Sequence, residues 1–227
     1  MIQVSLHIDN KLKLRNGEGY IMDYIKVPMD IEKRSFEIIG EEMGDHNFSD
    51  RELQIIKRVI HTTADFQLKD LTYIREGSID SALELFKKGV TIYTDTNMAA
   101  SGISKATLKK LNCKVECYVG REDIAEIAKE RGITRSMAAV EKAVEEGVEF
   151  FVFGNAPTAL FKLKEFTIAG KANPKFIIGA PVGFVGAAES KEEIEKLDIP
   201  MITIRGRKGG SNIAAAIVNA LMYMIIR

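Results

Sequence analysis

Short runs of large apolar residues alternate with amphipathic segments of helical period through most of the chain. Two of these runs, at residues 150–153 and 176–178, are continuously apolar, and a glycine and a proline-containing loop follow each of them. Continuous apolar runs are typical of strands that are buried on both faces, which occur in the interior of parallel sheets. The pattern therefore predicts strands that are covered by helices on both sides.

Strand and helix patterns alternate in this way from residue 71 to the end of the sequence. The extended segments are LTYI, VTIYTD, KVECYV, EFFVFG, KFIIGA and PMITIRG. This order is typical of an α/β fold with an open, mostly parallel sheet of about five strands flanked by helices. No low-complexity tract divides the chain, so we expect residues 1–227 to form a single domain, with residues 1–20 as a small N-terminal extension.

Two amphipathic helices are predicted before this alternation, and each carries a candidate site residue. Ser35 lies on the apolar stripe of the first helix, where its hydroxyl either bonds to the preceding turn or contacts a ligand. The second helix begins with a capping box, Ser49 to Glu52, and ends near His61. His61 is either a cation at a helix end or a catalytic group that the following threonines and aspartate orient.

Loops at the predicted carboxyl ends of the strands hold further candidates. In GNAPTAL, Asn155 is expected to cap a helix whose first N–H groups either bind a carboxylate or phosphate or form an ordinary connection. GAPVGFVG permits close approach of a ligand but lacks the GxGxxG spacing of dinucleotide sites. GRKGGS lacks the GK[ST] of a phosphate loop, although Arg205, Arg207 and Lys208 could pair with ligand carboxylates.

Composition and charge narrow the classes of function. The chain is 46% hydrophobic and 28% charged, and 32 basic and 32 acidic residues give a formal net charge of +0. A neutral protein creates no global field that attracts nucleic acid or an anionic membrane, so we expect neither as a partner. The apolar tail ALMYMIIR is too short to span a bilayer, and the N-terminal segment lacks the apolar core of a signal peptide. These features predict a cytoplasmic protein.

Cys113 and Cys117 are the only cysteines, and they lie on one face of a predicted strand. Two thiols without a neighbouring histidine cannot complete a zinc site, so we interpret them as small buried residues and expect no metal site. His7 and His46 are expected at the surface. Since the sequence contains no HExxH, Walker or nucleophile-elbow motif, the patterns alone indicate an anion-friendly rim and one well-placed histidine, and name no reaction.

Seven motifs together resemble the precorrin-8X methylmutase family, which includes the cobalt-precorrin-8 methylmutases of corrin-ring biosynthesis. They are RSF, KRVIHTTADF, YTDTNMAASGI, TRSMAA, GNAPTAL, PVGFVGAAESK and GRKGGSNIAAAIVNAL, in collinear order over about residues 22–227. The resemblance implies an isomerase of cobalamin biosynthesis that moves a methyl group between adjacent carbons of pyrrole ring C. It also implies a homodimer, a corrinoid (tetrapyrrole) substrate and no cofactor, with any cobalt carried inside the substrate.

The same resemblance implies roles for individual residues. His61 in RVIHTTAD matches the catalytic histidine of the family, which is expected to donate and accept a proton near ring C. Ser35 in RSF matches a serine that contacts the substrate. Pocket and carboxylate contacts are expected from Thr94, Asp95, Met98, Arg135, Asn155, Thr158, Gly183 and Phe184.

Two other classes of function stay open at this point. A non-catalytic tetrapyrrole carrier would keep the pocket and hand on product without turnover. A nucleotide-binding α/β protein would use GRKGGS and GNAPTAL for phosphates, although the Walker and GxGxxG patterns are missing. The motifs are shared by the metal-free and cobalt-containing branches, so they do not decide whether the substrate carries cobalt.

Overall fold

A computed structural model of the chain describes residues 11–13, 20–22 and 25–226. The chain divides into two compact units, Met1–Gly44 and Asp45–Arg227. The elements described in the first unit are strands β1 (Lys11–Lys13) and β2 (Tyr20–Met22) and helix α1 (Pro28–Glu42). The prediction that residues 1–227 form a single domain stays a prediction.

The second unit contains the predicted sheet and its helices. Its strands are β3 (Thr72–Ile74), β4 (Thr91–Thr94), β5 (Lys114–Glu116), β6 (Phe150–Phe153), β7 (Phe176–Gly179) and β8 (Met201–Ile204). Its helices are α2 (Asp50–Thr63), α3 (Leu68–Leu71), α4 (Ser78–Lys87), α5 (Asn97–Gly102), α6 (Lys105–Lys110), α7 (Glu122–Arg131), α8 (Arg135–Glu145), α9 (Pro157–Ile168), α10 (Ala187–Ile194) and α11 (Ser211–Ile226).

In the first unit, β1 and β2 pair antiparallel, with Lys11 opposite Met22. Residues 1–10, and with them His7, lie outside the described residues, so the predicted extension over residues 1–20 is described only in part. Helix α1 has Pro28 at its first position, where a missing N–H costs nothing. Within α1, the Ser35 hydroxyl donates to the Ile31 carbonyl at 2.8 Å. The predicted bond to the preceding turn is therefore present.

In the second unit, six strands of the described part of the chain form one sheet in the order β3-β8-β7-β6-β4-β5. Strands β4 to β8 run parallel, and β3 pairs antiparallel with β8 at one edge. This confirms the predicted open, mostly parallel sheet, with one strand more than five. The chain order reverses between β4 and β6, and α/β sheets bind ligands outside the carboxyl ends of strands at such a switch point.

Both faces of the sheet are buried by helices. Along β6, Phe150 and Val152 enter one hydrophobic cluster, whereas Phe151 and Phe153 enter another. Residues of α2, α4, α6 and α11 complete the first cluster, and residues of α7, α8, α9 and α10 complete the second. Because side chains of both faces meet apolar partners, the strand appears in the sequence as a continuous apolar run.

Helix α2, which carries His61, begins with the predicted capping box. The Ser49 hydroxyl accepts the N–H of Glu52, and the Glu52 carboxylate accepts the N–H of Ser49 at 2.8 Å. The buried face of α2 then packs against α11, and Ile55 and Val59 enter the same hydrophobic cluster as residues of α11. Across the described residues, no helix is both long enough and apolar enough to cross a membrane.

Candidate active site

The last turn of α2 places His61 at a small cavity. The His61 side chain is exposed, and the cavity beside it has a volume of about 230 Å³. Three helices of the second unit form the walls of this cavity, namely α2, α5 and α11. The residues that supply polar groups to it besides His61 are Arg58, Thr62, Asn212 and Asn219. A ligand that enters from solvent can therefore meet the imidazole directly.

Two asparagines of α11 hold the cavity walls together, and the motif-based prediction did not single them out. The Asn219 amide donates to the Gly102 carbonyl at 2.9 Å, and its oxygen accepts the N–H of Ser104 at 2.9 Å. The Asn212 amide donates to the Thr62 carbonyl at 3.4 Å. Their spacing is a signal that the sequence does contain: two asparagines seven residues apart in an alanine-rich helix lie on the same face of that helix.

The residues that follow His61 tie the end of α2 to a distant loop. Ala64 caps the carboxyl end of α2 with a left-handed φ of 52°, and the Thr63 hydroxyl donates back to the Val59 carbonyl at 2.9 Å. The Asp65 carboxylate accepts from the Lys208 ammonium and from the N–H of Gln67 at 3.0 Å. The hydrogen bond from Lys208 holds the pKa of Asp65 below its usual range. The GRKGGS loop is thus fastened beside the helix that carries the histidine.

Asp95 follows β4 at the switch point, where its side chain is buried. One carboxylate oxygen accepts the N–H of Gly154 at 2.8 Å. The other oxygen accepts the N–H groups of Asn155 at 2.9 Å and Ala156 at 2.7 Å. Burial raises the pKa of the Asp95 carboxyl, and the three N–H donors act against that rise. The carboxylate therefore fixes the turn between β6 and α9.

This contact corrects one prediction about GNAPTAL. Asn155 is predicted to cap α9, but the cap position belongs to Ala156, and no side chain makes a capping bond there. The reason is that the Asp95 carboxylate, from a neighbouring strand, already binds the N–H groups of residues 154–156. An external carboxylate or phosphate cannot use those three donors. What the turn presents to a ligand is the exposed side chain of Asn155.

The segment after Asp95 forms helix α5. Thr96 caps this helix by accepting the N–H of Ala99 at 3.1 Å, and its hydroxyl also lies 2.8 Å from that of Ser211 at the start of α11. Met98 is 71% exposed on α5. Thr94 is buried instead, and its hydroxyl donates to the Thr96 carbonyl at 3.2 Å. Met98 can therefore meet a ligand directly, whereas Thr94 shapes the backbone beneath it.

The first turns of α8 and α9 lie side by side. Thr134 caps α8 by accepting the N–H of Met137 at 3.2 Å, and its hydroxyl lies 3.1 Å from that of Thr158 on α9. Arg135 is the first residue of α8 and is exposed. This arrangement places a guanidinium and two hydroxyls on the same edge of the unit.

The loop after β7 carries the most exposed aromatic side chain of the candidate set. Gly183 has a φ of 146°, which favours glycine, and its N–H donates to the Arg207 carbonyl at 3.1 Å. The next residue, Phe184, is 83% exposed, and the Arg207 guanidinium lies 5.6 Å from its ring centroid. A flat apolar ring and a cation are therefore presented together.

The basic residues in and next to GRKGGS fall into two groups. Arg205 donates to the Glu195 carboxylate at 2.9 Å, and Lys208 binds Asp65, so both have protein partners. Arg207 and Arg135 have no ion pair within the part of the chain that the structure describes. Of the three arginines predicted to contact ligand carboxylates, Arg135 and Arg207 are therefore the two whose guanidiniums have no ion pair among the described residues.

Comparison with known proteins identifies the family. The Precorrin-8X methylmutase family profile matches residues 30–224. The cobalt-precorrin-8 methylmutase of Salmonella typhimurium is 46% identical over 209 residues, which are 89% of this chain and 98% of that protein. The precorrin-8X methylmutase of Pseudomonas aeruginosa is 38% identical over 205 residues, 88% of this chain and 98% of that one.

The chain belongs to the precorrin-8X methylmutase family. A crystal structure of the precorrin-8X methylmutase from Thermus thermophilus has a TM-score of 0.80 and 35% identity, and covers 86% of this chain and 95% of that one. The resemblance drawn from the motifs is thereby confirmed. Methylmutases move a methyl group within one molecule, so the predicted enzyme class, an intramolecular transferase, is confirmed as well.

Most candidate residues of this methylmutase lie on loops and helix starts after β4, β6 and β7, with His61 at the end of α2. His61 shares its cavity with Gly102 of α5, the helix that carries Met98. Thr158 lies beside the cap of α8, next to Arg135. Ser35 lies on α1, in the other compact unit.

Two larger clefts lie at the opposite, amino-terminal edge of the sheet. Their volumes are about 440 and 590 Å³, and the starts of β4, β5, β6 and β7 contribute to their walls. Size alone would favour them over the cavity at His61, but parallel α/β sheets bind ligands at the carboxyl ends of strands. The described residues contain no group of three or more His, Cys, Asp or Glu that could hold a metal ion.

Gly209, in the loop before α11, is expected to tolerate no side chain. A Cβ at this position would lie 2.3 Å from the Ala180 carbonyl oxygen and 2.7 Å from that of Pro181. We expect Gly209→Ala to lower the free energy of unfolding by about 3 kcal/mol, because the two loops must separate. Urea unfolding followed by circular dichroism measures this change.

Gly120→Ala is the matched control for that substitution. Its Cβ would meet only the Asn97 amide, at an ordinary 3.5 Å. We expect a change within about 1 kcal/mol for this variant. Equal stability of the two variants would contradict the close backbone packing of the loops after β7 and β8.

Proposed function

We propose that this chain catalyses methyl migration between adjacent carbons of ring C in precorrin-8 or cobalt-precorrin-8, giving a cobyrinic-type acid. The proposal rests on the family, whose curated members carry the names precorrin-8X methylmutase and cobalt-precorrin-8 methylmutase. The observation that carries it in this chain is the exposed His61 at the cavity between α2, α5 and α11.

His61 acts in this proposal as a proton donor and acceptor. The migrating methyl group breaks its bond to the α carbon of ring C and forms one to the neighbouring β carbon. Substrate and product contain the same atoms, so the rearrangement needs neither oxidant nor reductant. An imidazole can give a proton to the macrocycle near ring C and regain it afterwards near neutral pH, which favours the tautomer from which the methyl group moves.

The rim residues recognise the substrate in this proposal. A corrin intermediate bears acetate and propionate groups, which suit the unpaired guanidiniums of Arg135 and Arg207. The exposed Met98 and Phe184 side chains offer apolar surface to the macrocycle, and Asn155 and Thr158 add exposed polar groups. Holding a flexible ring in one geometry supplies a large part of catalysis in an intramolecular reaction.

The size of the cavity supports a homodimer, as the resemblance implies. A volume of about 230 Å³ is below the roughly 300–1,000 Å³ that is typical of small-molecule sites, and a macrocycle extends beyond it. Val182, Phe184 and Val185 are exposed on the loop after β7. A second copy that covers this loop would enlarge the site and bury these side chains.

Binding and turnover together test the function. We expect purified protein to bind cobyrinic or hydrogenobyrinic acid at one ligand per subunit, seen as a saturating shift of the corrin absorption bands. It should also convert cobalt-precorrin-8 or precorrin-8, and the faster substrate then reveals whether cobalt is carried. Binding without turnover would instead favour a tetrapyrrole carrier, and no binding by folded protein would remove the proposal.

A variant of Arg207 adds a site-specific result to the same titration. We expect Arg207→Gln to weaken product binding about tenfold, because a charge-assisted hydrogen bond to a ligand carboxylate is lost. Arg121→Gln is the matched control, since that guanidinium pairs with Asp123 on the surface of α7 at 2.7 Å. Equal affinity of both variants would contradict the contact between Arg207 and the substrate.

A further inference from the structure

Lys191 is a fully buried lysine that the proposed chemistry does not use. It lies on α10, and its relative exposure is 0%. Lysine is almost never fully buried unless its charge has partners. Here the ammonium donates to the Pro181 carbonyl at 2.9 Å and to the Lys208 carbonyl at 2.8 Å. One side chain therefore binds the backbones of two separate loops.

These two loops, residues 180–186 after β7 and 205–210 after β8, pack backbone against backbone. The Gly183 N–H donates to the Arg207 carbonyl at 3.1 Å, and the Gly210 N–H donates to the Ala180 carbonyl at 2.8 Å. With the Lys191 ammonium between two further carbonyls, the loops are held at three places. They carry Phe184 and Arg207, the ring and the cation that the proposed function directs at the substrate.

The same connection continues to the helix that carries His61. The carbonyl of Lys208 binds Lys191, whereas its ammonium binds Asp65 and the Gln67 side chain, the latter at 2.7 Å. Asp65 and Gln67 directly follow α2. The geometry thus joins α10, both loops and the end of α2 through consecutive hydrogen bonds.

Burying this charge carries a cost, which argues that the ammonium has a specific use. Burial lowers the pKa of Lys191 to about 8, with the neighbouring Glu195 carboxylate acting in the opposite direction. An apolar side chain of similar length would fill the same space without desolvating a charge. An apolar side chain would, however, leave the carbonyls of Pro181 and Lys208 without their donor.

We propose that Lys191 is a positioning residue of the methylmutase: its ammonium fixes the loops that present Phe184 and Arg207 relative to His61. This inference rests on the function proposed above. If these loops lose their fixed position, the substrate is bound less well, while the imidazole on α2 is unchanged. The effect of losing the ammonium should therefore fall on KM more than on kcat.

The experiment compares Lys191→Met with wild type and with Lys196→Met, an exposed lysine just beyond α10 that pairs with Glu193. We expect Lys191→Met to raise KM for methyl migration about tenfold, since small misplacements of positioning groups cost up to a hundredfold. The kcat should change less than about twofold. Lys191→Gln keeps N–H donors on a shorter, uncharged side chain, so its KM should lie between those of wild type and Lys191→Met, and a KM above wild type tests the proposal if the methionine variant does not fold.

Amide hydrogen exchange supplies a readout that does not depend on activity. We expect the N–H groups of Gly183 and Gly210 to exchange faster in Lys191→Met than in either reference protein. Faster exchange with an unchanged KM would overturn the proposal, because Lys191 would then serve folding alone. A fall in kcat as large as the rise in KM would also overturn the proposal. Wild-type protein without turnover would refute the proposed function instead, whatever the exchange result.

Discussion

Replacing His61 by glutamine is expected to lower the rate of methyl migration by about a hundredfold to ten-thousandfold, the usual contribution of a positioned proton donor. Glutamine can still form hydrogen bonds in the cavity, but it does not take up or release a proton near neutral pH. The loss should appear in kcat, because the groups that we propose bind the substrate carboxylates, Arg135 and Arg207, are unchanged. Single-turnover absorbance measurements would isolate the chemical step from product release.

The fold should tolerate this change. His61 is exposed in the last turn of α2, where a cation interacts favourably with the helix dipole, so the cost to stability should be about 1 kcal/mol or less. His46→Gln provides a matched control within the same unit. That histidine is also exposed, and its ring stacks on Phe48 at a centroid distance of 5.5 Å. We expect the control to keep the wild-type rate.

Two outcomes would change the role of His61. A folded His61→Gln protein that rearranges substrate as fast as wild type would show that the imidazole takes no part in the reaction. A raised KM with an unchanged kcat would restrict His61 to binding. In both cases the group that moves the proton would have to be sought outside this cavity, because the Asn212 and Asn219 amides that line it do not take up or release a proton near neutral pH.

The sheet could be predicted from the sequence because its central strands are buried on both faces. Residues 150–153 and 176–178 consist only of large apolar residues, and a glycine ends each run. The antiparallel direction of β3 could not be predicted in this way. Thr72 is the one buried residue of its three, and its pairing with β8 joins segments that are about 130 residues apart.

Sequence motifs single out candidate site residues most readily where the side chain itself is exposed. His61, Arg135 and Phe184 stand in motifs, and all three are exposed. Asp95 differs, because its partners are backbone N–H groups that lie 59 to 61 residues further along the chain. Its environment depends on β4 and β6 being neighbours at the switch point, which local sequence does not specify. Strand order is a property of the whole sheet.

Replacing Asp95 by asparagine is expected to lower the free energy of unfolding by about 3 kcal/mol, since each buried donor left unsatisfied costs about 1–3 kcal/mol. The carboxylate accepts three N–H groups through two oxygens. An asparagine amide has one oxygen, so its NH₂ must face at least one of these donors in either orientation. The best orientation keeps the bonds to Asn155 and Ala156 and sets two donors against each other at Gly154. Urea unfolding measures the loss.

Asp123→Asn is the matched control, because Asp123, in the first turn of α7, is exposed and paired with Arg121 at 2.7 Å. Exposed ion pairs contribute about 1 kcal/mol or less, so this variant should be close to wild type in stability.

The comparison also decides between the two roles considered for Asp95. The sequence motif predicts a substrate contact, whereas its burial and its bonds to residues 154–156 favour a role in holding the turn that presents Asn155. A variant with wild-type stability and lost activity would support the substrate contact. A destabilised variant whose remaining folded fraction binds product more weakly and keeps its kcat would place Asp95 among the positioning residues.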